Sequence, residues 1–101
     1  MARTLPEFSP NLSPAAPTLA HLGKLVRNRR AQAQMRIDDA ASLSGVSSDV
    51  LSRLENGKPV TVDKLMRVLE GFGLRMLVVS RTDLPAIEAV LGQAADAGEP
   101  R

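Results

Sequence analysis

Cysteine is absent from the 101-residue chain, which excludes disulfides, thiolate nucleophiles and cysteine-ligated zinc and fits a reducing compartment. Aromatic residues are scarce: Phe8 and Phe72 are the full set, with no Trp or Tyr. Base-stacking recognition of single strands or RNA needs aromatic platforms and is disfavoured accordingly. No apolar run approaches the roughly 20 residues that span a bilayer. The opening MARTLPEFSPNLSPAAP has no stretch apolar enough for a signal sequence. The expectation is a soluble, cytoplasmic protein with no membrane partner. Catalytic groupings are missing as well. His21 is the lone histidine, and no HExxH, Gly-rich phosphate loop or metal-ligand set accompanies it. Asp38 and Asp39 are adjacent on a helical stretch and diverge by about 100°, unlike a cooperating acid pair. No enzyme activity, cofactor or metal is expected.

What is present is a small chain with room for one domain plus tails and a local bias of charge. The net charge is only +2, yet Lys24, Arg27, Arg29, Arg30 and Arg36 fall in one segment that holds no acid. Such a patch on a nearly neutral protein is compatible with phosphate contact, as well as with an ordinary solvated helix face.

Prolines 6, 10, 14 and 17 forbid helix over residues 1–17, so this segment reads as a disordered or extended arm; a dispensable tail is the preferred reading, and contact with DNA through Arg3 the alternative. Four helices follow. Thr18 caps the first, Leu19–Ala33, with an apolar stripe of Leu19, Leu22, Val26 and Ala33. The second, Ile37–Ser44, carries Asp38 and Asp39 in its first turn, where the helix dipole favours anions. Its inner face is Ile37, Ala40, Ala41 and Ser44, with Leu43 pointing outward. Gly45 supplies a positive φ for a sharp turn, Ser47 caps a third helix over Ser48–Asn56, and Gly57 and Pro59 end it. Thr61 caps a fourth, Val62–Gly71, with a core stripe of Val62, Leu65, Met66, Leu69 and Phe72. After the breaker GFG, the run Leu74–Ser80 reads as a β-strand, and Ala86–Ala95 as a short last helix with a modest stripe of Ile87, Val90 and Leu91 and a loose tail. The divisions are an arm (1–17), a helical domain (18–73), a strand (74–80), and a helix with tail (81–101).

A single strand leaves its backbone donors and acceptors without partners. The same strand from a second copy, antiparallel across a two-fold axis, satisfies them. Leu74, Met76 and Val78 then cover the helices, while Arg75, Leu77 and Val79 face the other way. The alternative is an apolar extension packed on its own domain; the homodimer is the preferred reading.

The stretch GVSSDVLSRLENGK, residues 45–58, is the most telling. It describes a tight turn, a short helix and a glycine stop. One helix face is apolar (Val46, Leu51, Leu54), and the other is polar (Ser48, Asp49, Ser52, Arg53). A half-buried helix of this kind suits the DNA major groove, which admits one helix.

Taken with RNRR at the end of the first helix, AASLSG before the turn, LENGK after it and LEGFG at the close, residues Gly23–Gly73 resemble the helix-turn-helix domain of phage repressors and Cro proteins. The continuation LRMLVV is similar to that of HipB-type antitoxins. The resemblance implies a mainly α fold of four to five helices with one C-terminal strand pairing across a homodimer. It also implies a repressor of its own operon, binding an inverted-repeat operator in double-stranded DNA and holding a HipA-like serine/threonine kinase toxin inactive. A plain transcriptional regulator without a toxin partner, or an interaction module that no longer binds DNA, are the alternatives. The family's pattern places Ser47, Ser48, Asp49, Ser52 and Arg53 against DNA, and Asn56 and Lys58 against phosphate. Arg27 joins the phosphate contacts, and Arg36 substitutes for a glutamine frequent at the second helix start, where this chain has Ile37. Asp49 departs from the family's common glutamine. It either accepts from a cytosine amine or orients Arg53 at i+4, the second being preferred. Val50 faces a thymine methyl or the core. Arg30 and Glu55 match a structural ion pair tying the first helix to the end of the third.

Overall fold

A computed structural model of the chain describes residues 5–98. Five α-helices are present among them: α1 (Leu19–Gln32), α2 (Ile37–Ser44), α3 (Ser48–Glu55), α4 (Val62–Gly71) and α5 (Leu84–Gly98), the last preceded by a 3-10 turn at Arg81–Asp83. None is long and apolar enough to cross a membrane. Arg3, the alternative DNA contact of the arm, lies outside the described residues.

The local signals act largely as the sequence implies. Thr18 Oγ1 accepts from the His21 amide at 3.2 Å. Ser47 Oγ accepts from the Val50 amide at 3.1 Å. Gly45 closes α2 in the left-handed region at φ 71°, and Gly57 and Gly73 share that conformation after α3 and α4. Thr61 stands at the start of α4 with extended backbone, but its hydroxyl caps no helix amide. It bonds Asp63 instead, and that bond is the main reason the Asp63 carboxyl lies below its ordinary pKa.

The core is small and centred on α3. Val26, Ala40, Ala41, Leu51, Leu54, Val68 and Phe72 form it, with Leu22, Ile37, Leu65 and Leu74 packed around them. Side-chain volume is low because the backbones come close. At Gly23 an added Cβ would strike the carbonyl oxygen of Leu54 and lie 2.8 Å from that of Glu55, so α1 crosses the end of α3 nearly backbone to backbone. Ala40 and Ala41 serve α2 likewise, both being buried.

Three expected stripes need correction. Val26 is buried as expected, but Leu19 and, just past the end of α1, Ala33 are exposed, and Gly23, Arg30 and Ala31 are buried in their place. On α4, Val62 and Met66 are exposed and Val68 is fully buried. The helix is turned so that Val68, Leu69 and Phe72 meet α2 and α3, and the extra apolar residues of its sequence stripe face outward. On α5, Ile87 is half-buried while Val90 and Leu91 are exposed.

The expected β-strand is absent among the described residues; Leu74–Ser80 runs without regular hydrogen bonding. No ladder fixes its pleat, and the alternation is lost. Leu74 reaches the core, whereas Val78, expected to cover the helices, is 90% exposed. Met76, Leu77 and Val79 line an open groove of about 750 Å³ between α1 and α5.

Among the described residues, one buried side-chain polar atom is unsatisfied. Ser44 Oγ, at the crossing of α2 and α4, has no hydrogen-bond partner among the described residues. The Cα of Ser44 is 2.9 Å from where a Cβ of Gly71 would stand, so the two helices cannot separate to admit a partner without losing the contact. An unsatisfied buried hydroxyl costs about 1–3 kcal/mol, and alanine is also the better helix former. Ser44→Ala is therefore expected to stabilise the protein by about 1 kcal/mol, a rise of roughly 4–8 °C in the melting temperature of a domain this size. A thermal melt followed by circular dichroism checks this.

Candidate nucleic-acid interface

α2 and α3, joined through Gly45, Val46 and Ser47, form a helix-turn-helix pair. The inner side of α3 is fixed by Leu51 and Leu54, both essentially fully buried. The spacing of these leucines turns Asp49 and Arg53 to solvent, with Ser47 exposed at the helix start and Ser48, Val50 and Ser52 half-buried at the margins.

The polar groups on this face are already partly engaged. Ser47 Oγ accepts from the Val50 amide, which leaves its own proton free to donate outward. Ser48 Oγ donates to Asp38 Oδ1 at 2.8 Å, locking the start of α3 to the start of α2. Ser48 is therefore in the first place a brace between the two helices. Asn56 Nδ2 donates to the Ser52 carbonyl at 2.7 Å and lies 3.5 Å from its hydroxyl. These two residues form one polar unit at the end of α3.

The expectation that Asp49 orients Arg53 is not met. Arg53 Nη2 donates to the Pro59 carbonyl at 3.0 Å, which turns the guanidinium toward the loop after α3. The loop offers a carbonyl there, and Asp49, a turn earlier on α3, is left to solvent. Arg27, Arg36 and Lys58 are exposed and enter no ion pair among the described residues. With Arg53 they frame the outward face of α3 in positive charge.

Arg30 and Glu55 meet as expected. Arg30 Nε donates to Glu55 Oε2 at 2.7 Å and Nη2 to Oε1 at 2.8 Å, a two-bond fork. Arg30 Nη1 also donates to the Met35 carbonyl at 2.9 Å. Both residues are buried, at 8% exposure each. The pair holds the end of α3 against α1 beside the Gly23 crossing.

Several contributing residues carried little signal in the sequence. Arg29 Nε donates to the Phe72 carbonyl at 2.9 Å, tying α1 to the end of α4. Arg67 reaches the Gly45 carbonyl in the turn at 3.4 Å. Asn28 holds the N-terminal arm through two bonds with Ser9. An arginine run identifies charge but not which member turns inward, and a lone asparagine gives no pattern at all.

No curated protein matches the chain. Residues 21–92 match the family described as "Helix-turn-helix domain", a span that takes in the pair α2–α3 and the helices around it. The chain belongs to the helix-turn-helix domain family.

Proposed function

We propose that this protein is a dimeric, sequence-specific repressor that binds an inverted repeat in duplex DNA. The observation that carries the reading is the outward face of α3. It is a short helix anchored on its inner side by Leu51 and Leu54, showing Ser47, Asp49 and Arg53 to solvent and flanked by exposed Arg27, Arg36 and Lys58. Arg53 is long enough to leave the Pro59 carbonyl for the O6/N7 edge of guanine or a phosphate. Arg27, Arg36, Asn56 and Lys58 set register on the backbone.

The dimer reading is supported by the run Met76–Val79. All four of its residues are exposed apolar side chains, and the groove beside them is lined by Leu22, Leu25, Leu77, Leu84 and Ile87. Pairing this run with its copy would cover both, and reading an inverted repeat then requires the two α3 helices to stand about 34 Å apart, one DNA turn. An antitoxin role adds a second partner, a HipA-like serine/threonine kinase. It rests on the apolar continuation after the helical domain, and a kinase gene beside this one is its first check.

The test is a gel shift on DNA upstream of the protein's own gene, with wild type and Arg53→Ala. Wild type is expected to shift the duplex with two chains per site and to weaken steeply with salt. Arg53→Ala should lose about tenfold or more, the scale of one bidentate base contact. A folded wild type that shifts nothing at low salt ends the reading.

A further inference from the structure

The N-terminal arm is pinned to the domain. The Ser9 amide donates to Asn28 Oδ1 at 2.6 Å, and Asn28 Nδ2 donates to the Ser9 carbonyl at 2.9 Å. The side-chain amide of Asn28 thus pairs with Ser9 as a neighbouring strand would. Beyond this clamp, Leu5 reaches a cavity of about 240 Å³ at the end of α3, whose other walls include Arg27, Arg36, Ile37, Ser52 and Asn56. Arg30 and Glu55 also line it but are paired with each other, while Arg27 and Arg36 enter no ion pair among the described residues.

The lining is mixed in a specific way. Two cations and two neutral polar groups face two aliphatic side chains, Leu5 and Ile37. A single phosphate would use the first set alone. One unit of DNA backbone, a phosphate next to a deoxyribose whose C–H face is apolar, uses both. We propose that this cavity seats one deoxyribose–phosphate unit, with Arg27 and Arg36 on the phosphate and Leu5 on the sugar. Asn28 is then a positioning residue that delivers Leu5 to the backbone. The assignment rests on the DNA-binding reading and adds the arm to the interface.

The mechanism separates by salt. A cation on a phosphate releases counterions, so Arg36→Ala should flatten the log–log salt slope by about 0.9. A leucine on a sugar releases none. Leu5→Ala, Asn28→Ala and Ser9→Pro, the last removing the amide donor, should each weaken binding about fivefold at every salt concentration, the order expected for one partly buried aliphatic side chain. Their salt slopes should stay unchanged. Because the backbone carries no sequence, the loss should be equal on the upstream duplex and on a scrambled duplex of the same length. Titration of the full chain by fluorescence anisotropy on both duplexes reads all of this. Unchanged affinity in the three arm variants overturns the proposal, and so does tighter binding, which would make the arm an obstruction. Failure of wild type to bind either duplex overturns the DNA reading itself.

Discussion

Gly23→Ala is expected to lower the melting temperature by about 10 °C or more and to abolish DNA binding at ordinary temperatures. Two effects oppose each other at this position. Alanine favours the helix by about 1 kcal/mol over glycine. Against that, the new Cβ meets the carbonyl oxygens of Leu54 and Glu55, well inside contact distance for the first and at 2.8 Å for the second. Overpacking costs roughly 1–3 kcal/mol where side chains can yield, and more where, as here, the obstacle is backbone. A net loss of at least about 2 kcal/mol follows, or roughly 10 °C at 4–8 °C per kcal/mol for a domain of this size. Relief requires α1 to move away from the end of α3, which pulls Arg30 from Glu55 and tilts the outward face of α3. Function should therefore fall further than stability alone explains. Gly92→Ala is the control, since a Cβ there meets nothing within 4 Å. It should leave stability unchanged or raise it by up to about 1 kcal/mol. Calorimetry of both variants checks the pair. A Gly23→Ala protein that melts with wild type would show that the crossing is loose.

Much of this arrangement is legible in the sequence because it depends on local chemistry. Ser47 and Gly45 declare the turn before α3 through a hydroxyl cap and a positive φ. The small pair Ala40 and Ala41 announces close packing, and both are buried. The C-terminal bounds of α2 and α4 follow from the glycine breakers at Gly45 and Gly73. What could not be read depends on rotation and on partners. The stripe of α4 contains more apolar residues than one face can hold, so sequence periodicity did not distinguish Val62 and Met66, which are exposed, from Val68, which is buried. The turn after α1 passes through Gln34 at φ 54°, a conformation that no glycine marks. Leu74–Ser80 has strand composition, but a strand is completed by a neighbour, and none of the described residues supplies one.

The site divides along the same line. Which residues of α3 face outward followed from the positions of Leu51 and Leu54. How they are engaged did not, because Ser48–Asp38, Arg53–Pro59 and Asn28–Ser9 are contacts across loops and between helices that no spacing rule encodes.

Breaking the Arg30–Glu55 pair from either side is expected to destabilise the protein by about 3–5 kcal/mol, because the remaining charge stays buried without its partner. The geometry puts this pair in that class and not among surface pairs, which are worth about 0–1 kcal/mol. Both bonds of the fork are short, both residues are 8% exposed, and Arg30 also serves the Met35 carbonyl. Arg30→Met strands the Glu55 carboxylate and removes a donor from Met35. Glu55→Met strands the guanidinium. Arg30→Lys should rescue little, since an ammonium cannot reproduce the two-bond fork. The double variant Arg30→Met with Glu55→Met leaves no charge to desolvate and fills the space with apolar atoms. It should recover most of the loss, the residue being about 1–3 kcal/mol for the Met35 carbonyl. Urea unfolding of wild type, both singles and the double gives the coupling energy directly. A coupling of more than about 2 kcal/mol is expected, and the singles should also lose DNA affinity, because the pair fixes the end of α3 beside Asn56 and Lys58. Singles that lose less than about 1 kcal/mol would return the pair to the surface class and leave the Gly23 crossing as the main anchor of the recognition helix.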